Sequence, residues 1–193
     1  MKLTFEKENK INYHTDEFGS FKSCNLFQLF NNEVLIGEFI VSEQVAFIST
    51  NYSRLRIDIF KHFFKSTRYE IVDIKTEKTI GKYVFPNWIL FDSKEIGTLY
   101  FNNETFTCRR HRPAIRSNIF KKATWGHNKL ILTNSTKEID YEFKVETRWI
   151  EPANSEFRKA TGIINSKNAE TELIFVGLFF IERKLNIDDS ISD

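Results

Sequence analysis

Four stretches of this chain follow one pattern: an apolar run, a short polar cluster, and a second apolar run. They read NLFQLFNNEVLIGEF, YEIVDIKTEKTIGKYVF, WILFDSKEIGTLYF and KLILTNSTKEIDYEFKV. Polar punctuation between β-rich runs is a hairpin signal. In three of the four, Ile-Gly follows the turn: Ile36-Gly37, Ile80-Gly81 and Ile96-Gly97. A glycine within a strand packs nothing, so its recurrence at one place predicts a bulge or a tight bend. The opening LTFEKENKINY reads as a fifth, weaker copy of the hairpin. No linker rich in Gly, Ser or Pro divides the chain, so residues 1–193 read as a single domain, with a tail at 186–193. Consecutive hairpins at this density predict an antiparallel meander, closed into a barrel or packed as a sandwich.

Alternation supports the strands. In EIDYEFKVE, Ile139, Tyr141, Phe143 and Val145 fall on one face, and Asp140, Glu142, Lys144 and Glu146 on the other. That is a strand with one buried and one wet face. RLRIDIF alternates in the same way. Aromatic residues make up 15% of the chain, 20 of them Phe, with only three Pro; this enrichment favours strands over helices. The exception is SKNAETELIFVGLFFIERKLN. Asn168 is placed to cap a helix, with Glu170 and Glu172 in its first turn and Arg183 and Lys184 in its last, which suits the helix dipole. Between them the segment is apolar on every side, as in a helix buried all round. A buried strand is the alternative for residues 173–181, and capping and length favour the helix.

RYEIVDIKTEKTIGKY and WILFDSKEIGTLYF, followed by ELIFVGLFFIERK, resemble the strand–Asp–turn–Ile-Gly–strand units and terminal helix of the tubby-like, LURP-one-related and phospholipid-scramblase superfamily. The resemblance covers roughly Asn25 to Asn186. It implies a mainly β fold: a twelve-stranded antiparallel barrel around a C-terminal hydrophobic helix. The turns depart from the family pattern, holding Lys-Thr-Glu-Lys and Ser-Lys-Glu where a glycine is more usual. The resemblance also implies recognition of a membrane phospholipid headgroup, although the family's phosphate-binding residues cannot be placed here residue by residue.

Catalytic signatures are missing: the sequence has no G-x-S-x-G, H-E-x-x-H, P-loop or G-x-G-x-x-G pattern. Cys108 and His111 stand in C-x-x-H spacing, and with His127 and Cys24 they are the weak candidates for zinc or for a thiol nucleophile. The bland alternative is that Cys108 ends a strand as a small hydrophobe. Asp73 and Asp92 occupy equivalent places in two hairpins, where such residues usually bond their own turn backbone. We expect no enzyme, no cofactor and no metal.

Charge is the remaining signal. Cys108 to Lys129 carries seven basic residues and no acid, and the acid-free interval extends from Glu104 to Glu138, with Lys137 as its eighth positive charge. The whole chain is only +2, so the remainder, with 20 basic and 26 acidic residues, is −6. Pro113 and the spacing argue against a helical stripe. The run reads as a long loop between the strand-like stretches YFNNETFTC and NKLILT, on which binding is commonly carried. Arg109, Arg110, Arg112, Arg116, Lys121 and Lys122 are the candidate anion-binding residues, because guanidinium and ammonium groups pair with phosphate and carboxylate. The expected partner is an anionic phospholipid, or alternatively an acidic protein surface. Nucleic acid is less favoured, and a hollow small-molecule carrier is a third reading. In the plain structural alternative, acidic strand faces such as Asp140, Glu142 and Glu146 absorb these arginines as internal ion pairs. The N-terminus holds no apolar leader, and the longest apolar run, Leu173 to Ile181, is too short to span a bilayer, where a helix needs ~20 residues. The expected location is cytoplasmic, with no transmembrane segment.

Overall fold

A computed structural model of the chain describes residues 1–10, 14–16, 19–21, 24–42, 44–62, 65–86, 95–110, 128–150 and 155–189. Within them, strands β1 (Lys2–Lys10), β4 (Cys24–Asn31), β5 (Val34–Val41), β6 (Val45–Thr50), β7 (Arg54–His62) and β8 (Lys65–Asp73) follow one another, with a small hairpin of β2 (His14–Asp16) and β3 (Gly19–Phe21) after β1. Then come β9 (Lys78–Val84), β10 (Glu95–Phe101), β11 (Glu104–Arg110), β12 (Asn128–Thr133), β13 (Glu138–Ile150), β14 (Ser155–Lys167) and the helix α1 (Thr171–Asp189). From β4 to β14 each strand pairs with its successor, and β1 pairs with both β14 and β4. The result is a closed antiparallel barrel of twelve strands.

Three of the four patterned stretches form hairpins as expected: β4–β5, β8–β9 and β12–β13. In the fourth, WILFDSKEIGTLYF, the second arm is β10, and the first arm lies outside the described residues. LTFEKENKINY is a correction, because its polar centre does not turn: Lys2 to Lys10 is one continuous strand. YFNNETFTC is another. It is not a single strand end but holds a two-residue turn in which Asn102 and Asn103 both take positive φ (50° and 65°). Asn tolerates this left-handed backbone and thereby joins β10 to β11 without a glycine.

The Ile-Gly pairs are bulges. Ile36, Ile80 and Ile96 are each an extra residue where the pairing register shifts. The glycine that follows is needed for close approach. A Cβ on Gly37 would meet the Ser49 carbonyl oxygen at 2.5 Å and the Phe175 ring at 2.6 Å. One on Gly97 would meet the Val84 carbonyl oxygen at 2.9 Å and the Phe180 ring at 3.1 Å. The missing side chains let the neighbouring strand and the helix close on the bulge.

The helix runs inside the barrel. Leu173 through Glu182 are all buried, and their neighbours lie on strands all around the wall. Phe175 sits at Gly37 on β5, and Gly177 at Tyr141 on β13. Phe179 contacts Phe39, Tyr69 and Tyr83. Two tyrosines donate from the wall to helix carbonyls: Tyr83 Oη to Val176 O at 2.7 Å and Tyr141 Oη to Ile174 O at 2.9 Å. Burial pushes both phenol pKa values up, so both remain protonated donors.

The caps differ from expectation. Asn168 has φ 55° and donates from Nδ2 to Thr136 O at 3.3 Å; it ends the β14 strand and does not cap the helix. Helix bonding starts at the Glu170 carbonyl, which accepts from Ile174 N at 3.2 Å. Arg183 and Lys184 are not in the last turn either, since the helix continues to Asp189. No helix among the described residues is long and apolar enough to cross a membrane.

Candidate functional site

In an up-and-down meander, alternate connections gather at opposite ends. One end carries short turns at 32–33, 51–53, 74–77, 102–103 and 134–137, and the helix enters there. At the other end β1, β9 and β11 finish and β4, β10 and β12 begin, and the helix runs towards it. Arg109 and Arg110, where β11 ends, lie at this second end, which we call the mouth.

Alternation along β11 decides how its arginines are used. Phe106 and Cys108 face inward and are buried, so Arg110 faces inward and Arg109 outward. Arg109 is exposed and forms no ion pair with a described residue. Arg110 is half-buried, and its Nε is shielded from solvent without a hydrogen-bond acceptor. Arg112, Arg116, Lys121 and Lys122, along with His111, Trp125 and His127, lie outside the described residues. The two flanking lysines of the acid-free interval are satisfied. Lys129 Nζ lies 3.1 Å from Asp140 Oδ2 across the β12–β13 pair. Lys137 Nζ lies 2.6 Å from Glu104 Oε1 and 2.9 Å from Glu170 Oε1 at the turn end. Acids of the chain thus take up these two lysines, and neither described arginine forms an ion pair with a described residue.

The cysteines do not converge. Cys108 belongs to the main core, whereas Cys24 on β4 packs in a separate cluster with Leu26 and Ile40. Burial pushes the Cys108 thiol pKa far up, against the opposing pull of the Arg110 charge. A thiol held protonated is neither a nucleophile nor a ready metal ligand. Asp73 is a turn residue: its Oδ1 accepts from Lys75 N at 2.8 Å and Thr76 N at 3.3 Å. Asp92 and Trp88 lie outside the described residues.

Sequence reasoning missed the polar group on the helix side of the mouth. Lys7 and Glu182 are 3% and 2% exposed and lie 3.5 Å apart, with Asn25 Nδ2 donating to Glu182 Oε1 at 2.5 Å. The signal was present, since Lys7 shares the Leu3–Phe5–Lys7 inward alternation and Glu182 directly follows the apolar run. Arg183, also on the helix, lies over the rings of Phe85 at 5.0 Å and Tyr69 at 5.6 Å. The geometry thus defines a class: an antiparallel barrel plugged by its own helix, with cations gathered at one mouth. Compared with protein-family models, with curated proteins and with solved structures, the chain matches none.

Proposed function

We propose that this protein is a non-enzymatic binding module whose basic mouth contacts an anionic partner, foremost a phospholipid headgroup, and that it belongs with the tubby-like, LURP-one-related and scramblase barrels. One observation carries the binding reading: Lys129 and Lys137 are consumed by acids of the same chain, while Arg109 stays exposed and Arg110 keeps a buried donor without an acceptor. The helix supports it by exclusion, because Leu173–Ile181 occupy the interior that a carrier would need as a cavity. The barrel-around-helix architecture supports the kinship. The alternative partner is an acidic protein surface, for which exposed arginines would steer encounter.

Co-sedimentation with phosphatidylcholine vesicles, with and without an anionic lipid, tests the reading. Binding should require the anionic lipid, weaken with salt, and be lost on joint Arg109→Glu and Arg112→Glu substitution. Equal sedimentation with neutral and anionic vesicles, or no change in the variant, would refute it.

A further inference from the structure

Among the described residues, two guanidinium Nε atoms are buried without a hydrogen-bond acceptor: Arg110 on β11 and Arg183 on α1. They come from opposite partners of the fold, wall and plug, yet reach the same layer of the mouth. Gly97 pairs in register with Cys108 on β11 and lies against the Phe180 and Phe85 rings. Arg110 is the next inward position beyond Cys108, roughly 6.7 Å further along the strand. Arg183 is three residues beyond Phe180, roughly 4.5 Å further along the helix, and its guanidinium lies 5.0 Å from the Phe85 ring centre. Both arginines therefore lie on the mouth side of the layer that holds Phe85, Phe180 and Cys108. Glu182, the acid next to Arg183, is turned towards Lys7 and Asn25 on β1 and β4. Glu95 is exposed on the outer row, in register with Arg109.

We infer that Arg110 and Arg183 form an oxyanion subsite at the barrel mouth, taking a phosphate group between the wall and the central helix. The inference rests on the anion-binding reading of this end and adds to the basic run a residue from the helix. A buried charged donor without an acceptor is costly, so a ligand that satisfies two of them gains affinity from groups already desolvated. Guanidinium forks match oxyanions. Two such cations favour a phosphomonoester, with up to two negative charges, over a carboxylate. The rings beneath exclude water and strengthen the attraction. Because the helix fills the barrel below, the subsite holds a head group and no buried tail.

Thermal unfolding of the full chain in inorganic phosphate, against chloride at equal ionic strength, tests this. Phosphate should raise the melting temperature of the wild type. In Arg183→Gln and in Arg110→Gln its apparent affinity should fall on the order of tenfold, as expected for the loss of a charge-assisted hydrogen bond. Each variant is read against its own chloride baseline; if Arg183→Gln does not fold, Arg110→Gln carries the test. A wild type indifferent to phosphate, or an Arg110→Gln variant that responds as the wild type does, overturns the subsite. Phosphatidylcholine vesicles containing phosphatidic acid separate the sources. Phosphate stabilisation through both arginines without vesicle binding means a free phosphate ligand; the subsite stands and the headgroup reading falls. Vesicle binding that depends on Arg109 and Arg112 but not on Arg110 or Arg183 leaves the headgroup reading standing and overturns the subsite.

Discussion

At Gly37 the protein tolerates no more than a hydrogen, because the Ser49 carbonyl and the Phe175 ring occupy the space of a Cβ. Neither neighbour can yield cheaply: one is ladder backbone and the other is wedged in the core. Gly37→Ala should cost about 1–3 kcal/mol through overpacking, measured by chemical denaturation. A second residue-scale prediction concerns Lys137. Hydrogen bonds from Lys137 and Asn134 hold the Glu104 carboxyl below the ordinary glutamate range, and those to Glu104 and Glu170 hold the Lys137 ammonium above its own. A lowered carboxyl contributes stability that is present above the unfolded value of ~4.3 and is lost as pH falls through the folded one. A raised ammonium contributes stability that is present below the ordinary lysine value and is lost as pH rises through the folded one. Lys137→Met should therefore flatten the acid and far-alkaline limbs of the stability profile and leave the slope near neutrality unchanged. An acid limb as steep as that of the wild type would show that the pair is not responsible.

The central helix is held by aromatic packing far more than by its own capping. Its first turn has one acid, Glu172, and its last turn has no base. Phe179 by contrast packs against Phe39, Tyr69, Tyr83 and Phe85. Phe179→Ala should cost about 3–5 kcal/mol, the transfer term plus the cavity left behind, seen as a large fall in melting temperature. Tyr83→Phe removes only one donor, because the Val176 carbonyl still lies within the helix. Its cost should be about 0.5–1.5 kcal/mol. A larger loss for Tyr83→Phe than for Phe179→Ala would reverse this ranking of polar and apolar ties.

As a whole, the molecule depends on its first strand for closure. β1 is the single strand whose two partners, β4 and β14, come from opposite ends of the meander. It also delivers Leu3, Phe5 and Lys7 to the core, the last against Glu182. Removing residues 1–9 would open two strand edges and leave Glu182 without its lysine. Such edges pair with other chains, so the truncated protein should associate and lose a single cooperative transition. Size-exclusion chromatography and thermal unfolding check this; a monomer melting like the full chain would mean that closure is dispensable.

Much of this could be read along the chain because it is local. Alternation in EIDYEFKV, polar turn clusters and the uniformly apolar LIFVGLFFI each state a preference of a few consecutive residues, and together they sufficed for a β meander with a buried helix. The Ile-Gly repeats announced bulges, but not that the glycines make room for Phe175 and Phe180 more than 80 positions away. The helix start was misplaced because the residues before it are held to a distant turn, Asn168 to Thr136 and Glu170 to Lys137. The basic run was visible as composition. That Lys129 and Lys137 pair within the chain while Arg109 and Arg110 form no ion pair with a described residue was not, because ion pairing is decided by strand register and by which face each residue takes. Likewise Arg183 reads in sequence as a helix-end charge. Only the threading of the helix through the barrel sets it over Phe85, in the same layer as Arg110, since proximity between a wall and its plug is a property of closure and not of any segment.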